Sequence, residues 1–136
     1  MKGYILVSHG LYAQELKNSL QMIAGDVSDV YCVCLLPEEG QEQFKAKLDA
    51  LKESLERYEE ILIFADLLGG TPCNGATTYF LSDNRVSIIA GMNFPQILSA
   101  LLTKDATTDE LVQIGKDSIV DVKEKLISTQ SDDEED

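Results

Sequence analysis

The sequence predicts an α/β protein with an open, doubly wound parallel sheet and helices on both faces. Two observations lead to this prediction. Short apolar segments alternate four times with segments whose apolar residues recur at helical spacing, which is typical of parallel strands joined by right-handed crossovers. The third strand segment is almost wholly apolar, which indicates a central strand covered on both faces. The common strand order for such a sheet is 2-1-3-4.

The strands are predicted from runs rich in Val, Ile, Leu and Tyr that end at turn residues. The first run ends at His9 and Gly10, the second at Pro37, and the third at Asp66. The fourth ends at Gly91. The predicted strands cover residues 3–8, 30–36, 60–65 and 86–90.

The helices are predicted from apolar residues spaced three and four apart, with recognisable ends. Gly25 stops the first helix, and the second is long and amphipathic. Thr71 followed by Pro72 is typical of an N-cap with proline at the first helical position. Thr107 or Thr108 caps the last helix. The predicted helices cover residues 11–24, 41–58, 72–81, 95–102 and 107–115.

The C-terminal region has two possible structures. Residues 118–123 alternate apolar and polar side chains, so an edge strand competes there with continuation of the preceding helix. Residues 130–136 are nearly all acidic and have nothing to bury. We therefore expect a single domain over residues 1–127 and a disordered acidic tail over residues 128–136.

Charge and composition restrict the function. The 136-residue chain carries 11 Lys and Arg against 24 Asp and Glu, a net charge of −13, which disfavours nucleic acid and anionic lipid as partners. Such a surface favours partners with basic docking faces. The sequence contains no leader-like segment and no apolar run of transmembrane length, so we expect a cytoplasmic protein without direct membrane insertion.

The three cysteines do not predict a disulfide framework, and their odd number fits a reducing compartment. Cys32 and Cys34 are two residues apart in a predicted strand and so share a face, where packing is their expected role. One histidine with scattered thiols does not make up a zinc site, and we expect no metal.

The candidate site combines His9 with Asp66. In the order 2-1-3-4, strands 1 and 3 are neighbours at the switch point, and these residues lie at their carboxyl ends. A carboxylate that accepts the Nδ1 proton fixes the imidazole tautomer and leaves Nε2 free as a base or nucleophile. Gly69, Gly70 and Thr71 precede a helix whose N-terminus favours anions, and Gly10 offers another backbone amide. Together they predict a histidine facing an anion of phosphoryl size.

Structural roles for the same residues are the alternative. A lone histidine is often a hydrogen-bonded structural residue, and Asp66 is also a suitable turn residue. The sequence contains neither a P-loop nor a GxGxxG fingerprint. Ser8 neighbours His9 on a strand and therefore points to the opposite face, which argues against a serine nucleophile activated by His9. Cys73 lies close to the site, and packing is its expected role.

Three segments resemble the IIA component of the mannose family of the bacterial sugar phosphotransferase system. They are residues 5–10 (ILVSHG), 64–76 (FADLLGGTPCNGA) and 88–98 (IIAGMNFPQIL). The resemblance implies a cytoplasmic homodimer that accepts a phosphoryl group on histidine from the carrier HPr and passes it to a IIB component. The sugar then enters through membrane IIC and IID components. It also implies the strand order 2-1-3-4, no cofactor, and a C-terminal antiparallel edge strand, exchanged between subunits, for which residues 118–123 are the candidate.

The resemblance assigns a role to each matching residue. His9 corresponds to the histidine phosphorylated at Nε2, and Asp66 to the carboxylate that orients it. Gly69 and Gly70 correspond to the glycine turn beside the phosphoryl group, and Thr71 to a hydroxyl residue that lines the site. Asn93 and Pro95 correspond to a loop at its edge. From their positions next to His9 we also expect Gly10 to bind the phosphoryl group and Ser8 to lie on the rim.

Other functions remain open on this scaffold. The same domain type resembles the phosphoryl-relaying subunit of the dihydroxyacetone kinase that uses phosphoenolpyruvate, and also domains of some transcriptional regulators. A flavodoxin-like module that binds flavin or nucleotide belongs to a different functional class, and the glycine turn is compatible with it.

Overall fold

The computed structural model describes the backbone of residues 1–135 and the side chains of residues 1–130. It contains a four-stranded parallel sheet in the order β2-β1-β3-β4, which confirms the predicted topology. The strands are β1 (Lys2–His9), β2 (Val30–Leu35), β3 (Glu60–Ala65) and β4 (Val86–Ala90). The central pair β1 and β3 therefore carries the two candidate site residues at adjacent strand ends.

Helices cover both faces of the sheet and enclose two hydrophobic cores. One core is shared with α1, α4 and α5, and the other with α2 and α3. The central strand β1 supplies both, since Tyr4 and Leu6 face the first core while Ile5 and Val7 face the second. The helices are α1 (Tyr12–Ala24), α2 (Gln41–Leu55), α3 (Thr71–Tyr79), α4 (Phe94–Leu102), α5 (Thr108–Asp117) and α6 (Val122–Glu135).

The second helix ends three residues earlier than predicted because Tyr58 is used in the core. Tyr58 is 2% exposed, and its ring lies against Gly3 so closely that a Cβ on Gly3 would be 2.8 Å from Cδ2. The Tyr58 hydroxyl donates to Asp29 Oδ1 at 2.8 Å. Helical spacing at the sequence level does not distinguish this buried ring from one more turn of α2.

The C-terminal region differs from the prediction. Residues 118–121 form a turn and a short irregular segment, and α6 begins at Val122, so the single chain has no edge strand in this part of its described length. Asp121 explains the helix start, because its side chain accepts the Glu124 backbone N–H at 3.0 Å in the manner of an N-cap. The helix continues through the expected disordered tail as far as Glu135, and Asp136 lies outside the described residues. The domain boundary at residue 127 stays a prediction.

None of the helices within residues 1–135 is both long enough and apolar enough to cross a membrane.

Candidate functional site

His9 and Asp66 are in direct contact at the carboxyl edge of the sheet. Asp66 Oδ2 accepts the His9 backbone N–H at 2.9 Å and lies 2.8 Å from His9 Nδ1. This geometry makes Nδ1 the protonated nitrogen and leaves the Nε2 lone pair unused. The histidine side chain is 47% exposed whereas the aspartate side chain is 12% exposed, so a largely buried carboxylate orients a ring that is half open to solvent. The pairing predicted from the strand ends is confirmed.

The glycine turn after Asp66 lies against the outer edge of the imidazole. A Cβ on Gly70 would be 2.7 Å from His9 Cε1 and 3.2 Å from Nε2, so any other residue at this position would displace the ring. Gly69 has a φ of +85°, a conformation that favours glycine. The two glycines therefore serve different purposes: Gly69 makes the turn, and Gly70 leaves space beside Nε2.

The N-terminus of α3 begins one residue earlier than predicted. Gly70 is the N-cap, Thr71 is the first helical residue, and Pro72 follows it. In the described part of the chain, the Thr71 N–H donates to no protein acceptor, as expected in a first helical turn. This N–H and the helix dipole favour an anion beside His9 Nε2.

Two polar side chains that the sequence did not single out hold this turn in place. Asn74 Nδ2 donates to the Gly69 carbonyl at 3.1 Å, and Gln41 Nε2 donates to the Thr71 carbonyl at 3.4 Å. Asn74 is four residues beyond its N-cap on α3, and Gln41 comes from the start of α2. In the sequence, an asparagine five residues after Gly69 is only weak evidence that its side chain binds this turn. Nothing in the sequence around Gln41 indicates its contact with Thr71, because the two residues are 30 positions apart.

Ser8 and Gly10 have structural roles in place of the predicted ones. Ser8 is fully buried, and its Oγ donates to the Gly10 carbonyl at 3.2 Å and accepts the Ala13 N–H at 2.8 Å. It therefore lies beneath the site and not on its rim. The Gly10 N–H donates to the Leu35 carbonyl at 2.7 Å, which extends the pairing of β1 with β2. That amide is consequently not available to a phosphoryl group.

The Ser8→Ala variant is expected to lower the free energy of unfolding by about 2 kcal/mol, because it leaves the buried Ala13 N–H without its acceptor. Urea unfolding measures this change. Ser19→Ala, at an exposed position of α1, the helix that contains Ala13, is the control and should change stability by less than about 0.5 kcal/mol. Equal stability of the two variants would show that the Ser8 hydroxyl does not stabilise the turn between β1 and α1.

Asn93 and Pro95 lie at the start of α4. The preceding loop is brought next to Asp66 because the N–H groups of Gly91 and Met92 both donate to the Ala65 carbonyl. Asn93 Oδ1 caps α4 by accepting the Gln96 N–H at 3.0 Å, and Asn93 Nδ2 donates to the Gly115 carbonyl at 2.9 Å. The Asn93 side chain is thus committed to joining α4 and α5, while Pro95 is exposed.

Exposed apolar side chains follow the strand ends around His9, which sequence analysis did not predict as a group. They come from the turns after β1, β2 and β3 and from the first residue of α1, so they lie at the same edge of the sheet. The exposed residues are Leu11 (57%), Tyr12 (49%), Leu36 (39%), Leu67 (58%) and Leu68 (80%). We call these five residues the apolar rim. An exposed histidine inside such a rim is accessible to another protein.

The cysteines pack as the sequence predicts. Cys73 is 5% exposed and belongs to α3, which packs on one core, while Cys32 and Cys34 both pack against the core on the other face of the sheet. Burial raises the pKa of the Cys32 thiol to about 11, so this thiol stays protonated and unreactive at neutral pH.

Comparisons with known proteins identify the family of the chain. The family model for EIIA-man, described as the PTS system fructose IIA component, matches residues 3–114. The PTS system fructose-specific EIIA component of Bacillus subtilis is 30% identical over 105 residues, which are 77% of this chain and 72% of that protein. The PTS system mannose-specific EIIAB component of Escherichia coli K12 is 27% identical over 129 residues, 90% of this chain, and the match spans only 40% of that longer protein.

Solved structures give the same result. The mannose/sorbose specific IIA subunit from Enterococcus faecalis is 34% identical with a TM-score of 0.79, and the match covers 89% of this chain and 95% of that one. The PTS IIA protein associated with the fucose utilization operon from Streptococcus pneumoniae is 28% identical with a TM-score of 0.84, and the match covers 92% and 96% of the two chains. The chain therefore belongs to the EIIA-man family, the IIA components of the mannose, fructose and sorbose type of phosphotransferase system.

Proposed function

We propose that this protein is a phosphocarrier that accepts a phosphoryl group from phospho-HPr on His9 Nε2 and passes it to a IIB component. The sugar then enters through membrane IIC and IID components, and the relay takes place in the cytoplasm. The observation that carries the proposal is the 2.8 Å contact between His9 Nδ1 and Asp66 Oδ2, which leaves Nε2 exposed beside the glycine turn.

The chemistry requires positioning and charge stabilisation. The Nε2 lone pair attacks the phosphorus of the donor phosphohistidine, a new N–P bond forms, and the donor nitrogen keeps the electron pair of the bond that breaks. His9 becomes positively charged, and Asp66 Oδ2 stabilises that charge through the Nδ1 proton. The free Thr71 N–H at the start of α3 lies beside the turn that faces Nε2, where it is suited to bind a phosphoryl oxygen. The proposal calls for no metal or organic cofactor.

The surface around His9 suits two successive protein partners. A transferring phosphoryl group has to reach Nε2 in line with the donor nitrogen, and a half-exposed histidine permits that approach. The apolar rim offers contact area to a partner, and the net charge of −13 favours one with a basic docking face.

The Asp66→Asn variant is expected to accept phosphate about tenfold more slowly, because the amide oxygen still accepts the Nδ1 proton but has no negative charge to stabilise the imidazolium, a loss of about 1.5 kcal/mol. A quench-flow or slow-mixing assay with excess phospho-HPr measures the rate. Asp109→Asn, which makes the same charge change on the exposed first turn of α5, is the control. Equal transfer rates for these two variants would remove Asp66 from the mechanism.

We further propose that the protein is a homodimer in which residues 118–123 of each subunit pair with the other. Strand β4 is an edge strand, and the segment exposes Ile119 (78%), Val120 (46%) and Val122 (64%), which favours a covering partner. Light scattering should give twice the chain mass of 15.0 kDa, and Val120→Asp should reduce it to one chain mass. Ile23→Asp on exposed α1 should leave the dimer intact. A monomeric wild-type protein would contradict the proposal.

A role in the dihydroxyacetone kinase that uses phosphoenolpyruvate would employ the same His9 chemistry with another acceptor. The relatives described above are named for sugar phosphotransferase components, which supports the sugar relay. Transfer from the phosphorylated protein to a IIB component, compared with transfer to the kinase subunit, separates the two. The same relatives do not favour a flavin-binding module.

A further inference from the structure

A groove separates α2 from α3 on the face of the sheet that both helices cover. Its volume is about 820 Å³, which is in the range of small-molecule sites. The buried side chains of Leu55 and Phe80 form part of its lining, and Gly75 lines it from α3, where this helix packs closely against α2. A Cβ on Gly75 would already be 3.3 Å from Phe44 and 2.8 Å from Gln41 Oε1. His9 does not line this groove.

The carboxylates of the groove are already engaged. Asp49 accepts a hydrogen bond of 2.6 Å from the Tyr79 hydroxyl, which stays protonated because burial raises the pKa of Tyr79 to about 12. Asp83 is paired with Arg85 at 2.8 Å, and hydrogen bonds from Arg85 hold the pKa of Asp83 below its usual value. Arg85 also donates to the Leu55 carbonyl at the end of α2. The pair is therefore part of the wall of the groove.

The two lysines of the groove have no such partners. Lys45 and Lys52 both line it from α2, and neither lies within 4.0 Å of a carboxylate among residues 1–130. They are two turns apart on one side of the helix, about 10 Å along its axis. The lining thus combines two free ammonium groups with an apolar surface, although the chain as a whole carries a charge of −13.

We propose that this groove binds a small organic anion, such as an aromatic carboxylate, as a second site separate from His9. The apolar body of the ligand lies along the Tyr79 ring and the aliphatic stems of Lys45 and Lys52, and its carboxylate is bound by the ammonium group of either lysine. A neutral ligand of the same shape makes only the first contact, so the site distinguishes a carboxylate from its amide.

The test compares 2-naphthoate with its neutral isostere 2-naphthamide by NMR titration of the full-length ¹⁵N-labelled protein. The naphthoate should bind about fivefold more tightly and shift amide signals on the groove sides of α2 and α3. In the double variant Lys45→Gln/Lys52→Gln this preference should disappear, while the affinity for the naphthamide stays unchanged. The control Lys104→Gln/Lys116→Gln removes the same two charges from exposed positions outside the groove and should keep the preference.

The outcome is independent of the phosphocarrier proposal, because His9→Ala should leave naphthoate binding unchanged. Several results would overturn the second site: no binding at millimolar concentration, equal affinity for the acid and the amide, or shifts confined to other surfaces. A preference that also disappears in the control variant would show an effect of net charge alone. Groove signals that change with protein concentration and not with ligand would show that a second copy of the chain covers this face.

Discussion

The His9→Ala variant is expected to lose all phosphate incorporation when incubated with phosphoenolpyruvate, enzyme I and HPr. His9 is the only histidine in the chain, so no other imidazole is available to accept the phosphoryl group. The wild-type protein should take up one phosphate per chain, and the bond should be labile in acid and stable in alkali, as expected for a phosphohistidine. Radiolabelled phosphoenolpyruvate followed by gel autoradiography measures both the amount and the lability.

The folded state of this variant can be checked separately. The His9 side chain is 47% exposed and belongs to neither hydrophobic core, so its removal should leave the thermal unfolding transition nearly unchanged. Asn18→Ala on the exposed face of α1 is the control and should be labelled like the wild type. Undiminished acid-labile phosphate on a well-folded His9→Ala protein would place the acceptor elsewhere and refute the phosphocarrier mechanism.

The sequence predicts the sheet and the central pair of the site because both depend on strong local patterns. Apolar strand segments of limited length, joined by helices, restrict the topology to a few parallel arrangements. Once strands 1 and 3 are neighbours, the residues that follow them must lie close together, and His9 contacts Asp66 as expected. This inference needs no side-chain detail.

The wrong predictions, for the Gly10 amide and for the first residue of α3, both concern the hydrogen-bond partners of backbone groups. The Gly10 N–H is used by Leu35 on β2, and no pattern around Gly10 shows this. Thr71 and Pro72 predict a cap and a first helical residue, but α3 starts one residue earlier because Gly70 takes the N-cap position. Helix ends depend on which N–H groups find acceptors, and this is decided by tertiary contacts.

Residues 118–123 illustrate a different limit. Their alternating pattern allows an edge strand or continuation of the preceding helix, and among the described residues they pair with no strand although β4 has an open edge. Asp121 then caps a helix with its own side chain, which is a purely local interaction. An alternating pattern therefore does not by itself decide whether such a segment pairs as a strand.

The Gly70→Ala variant is expected to slow phosphoryl transfer by about 100-fold while the protein stays folded. The added Cβ would lie 2.7 Å from His9 Cε1, so the imidazole has to move by several tenths of an ångström or rotate away. Rotation lengthens the 2.8 Å contact between Nδ1 and Asp66 Oδ2 and moves Nε2 out of line with the donor, and misplacement of about 1 Å costs on the order of 100-fold in rate. Single-turnover transfer from phospho-HPr measures the loss.

Gly69→Ala is the matched control, because it should lower stability and leave the transfer rate unchanged, which is the reverse of what is expected for Gly70→Ala. Gly70 has a φ of −80°, which any residue adopts, so its substitution should barely change stability. Gly69 has a φ of +85° with no atom within 4 Å of an added Cβ, so alanine there costs about 1 kcal/mol of backbone strain without touching His9. Gly69→Ala should therefore unfold at lower urea concentration yet transfer phosphate at a rate close to that of the wild type. If Gly70→Ala transfers as fast as Gly69→Ala, the space beside Nε2 does not control the reaction.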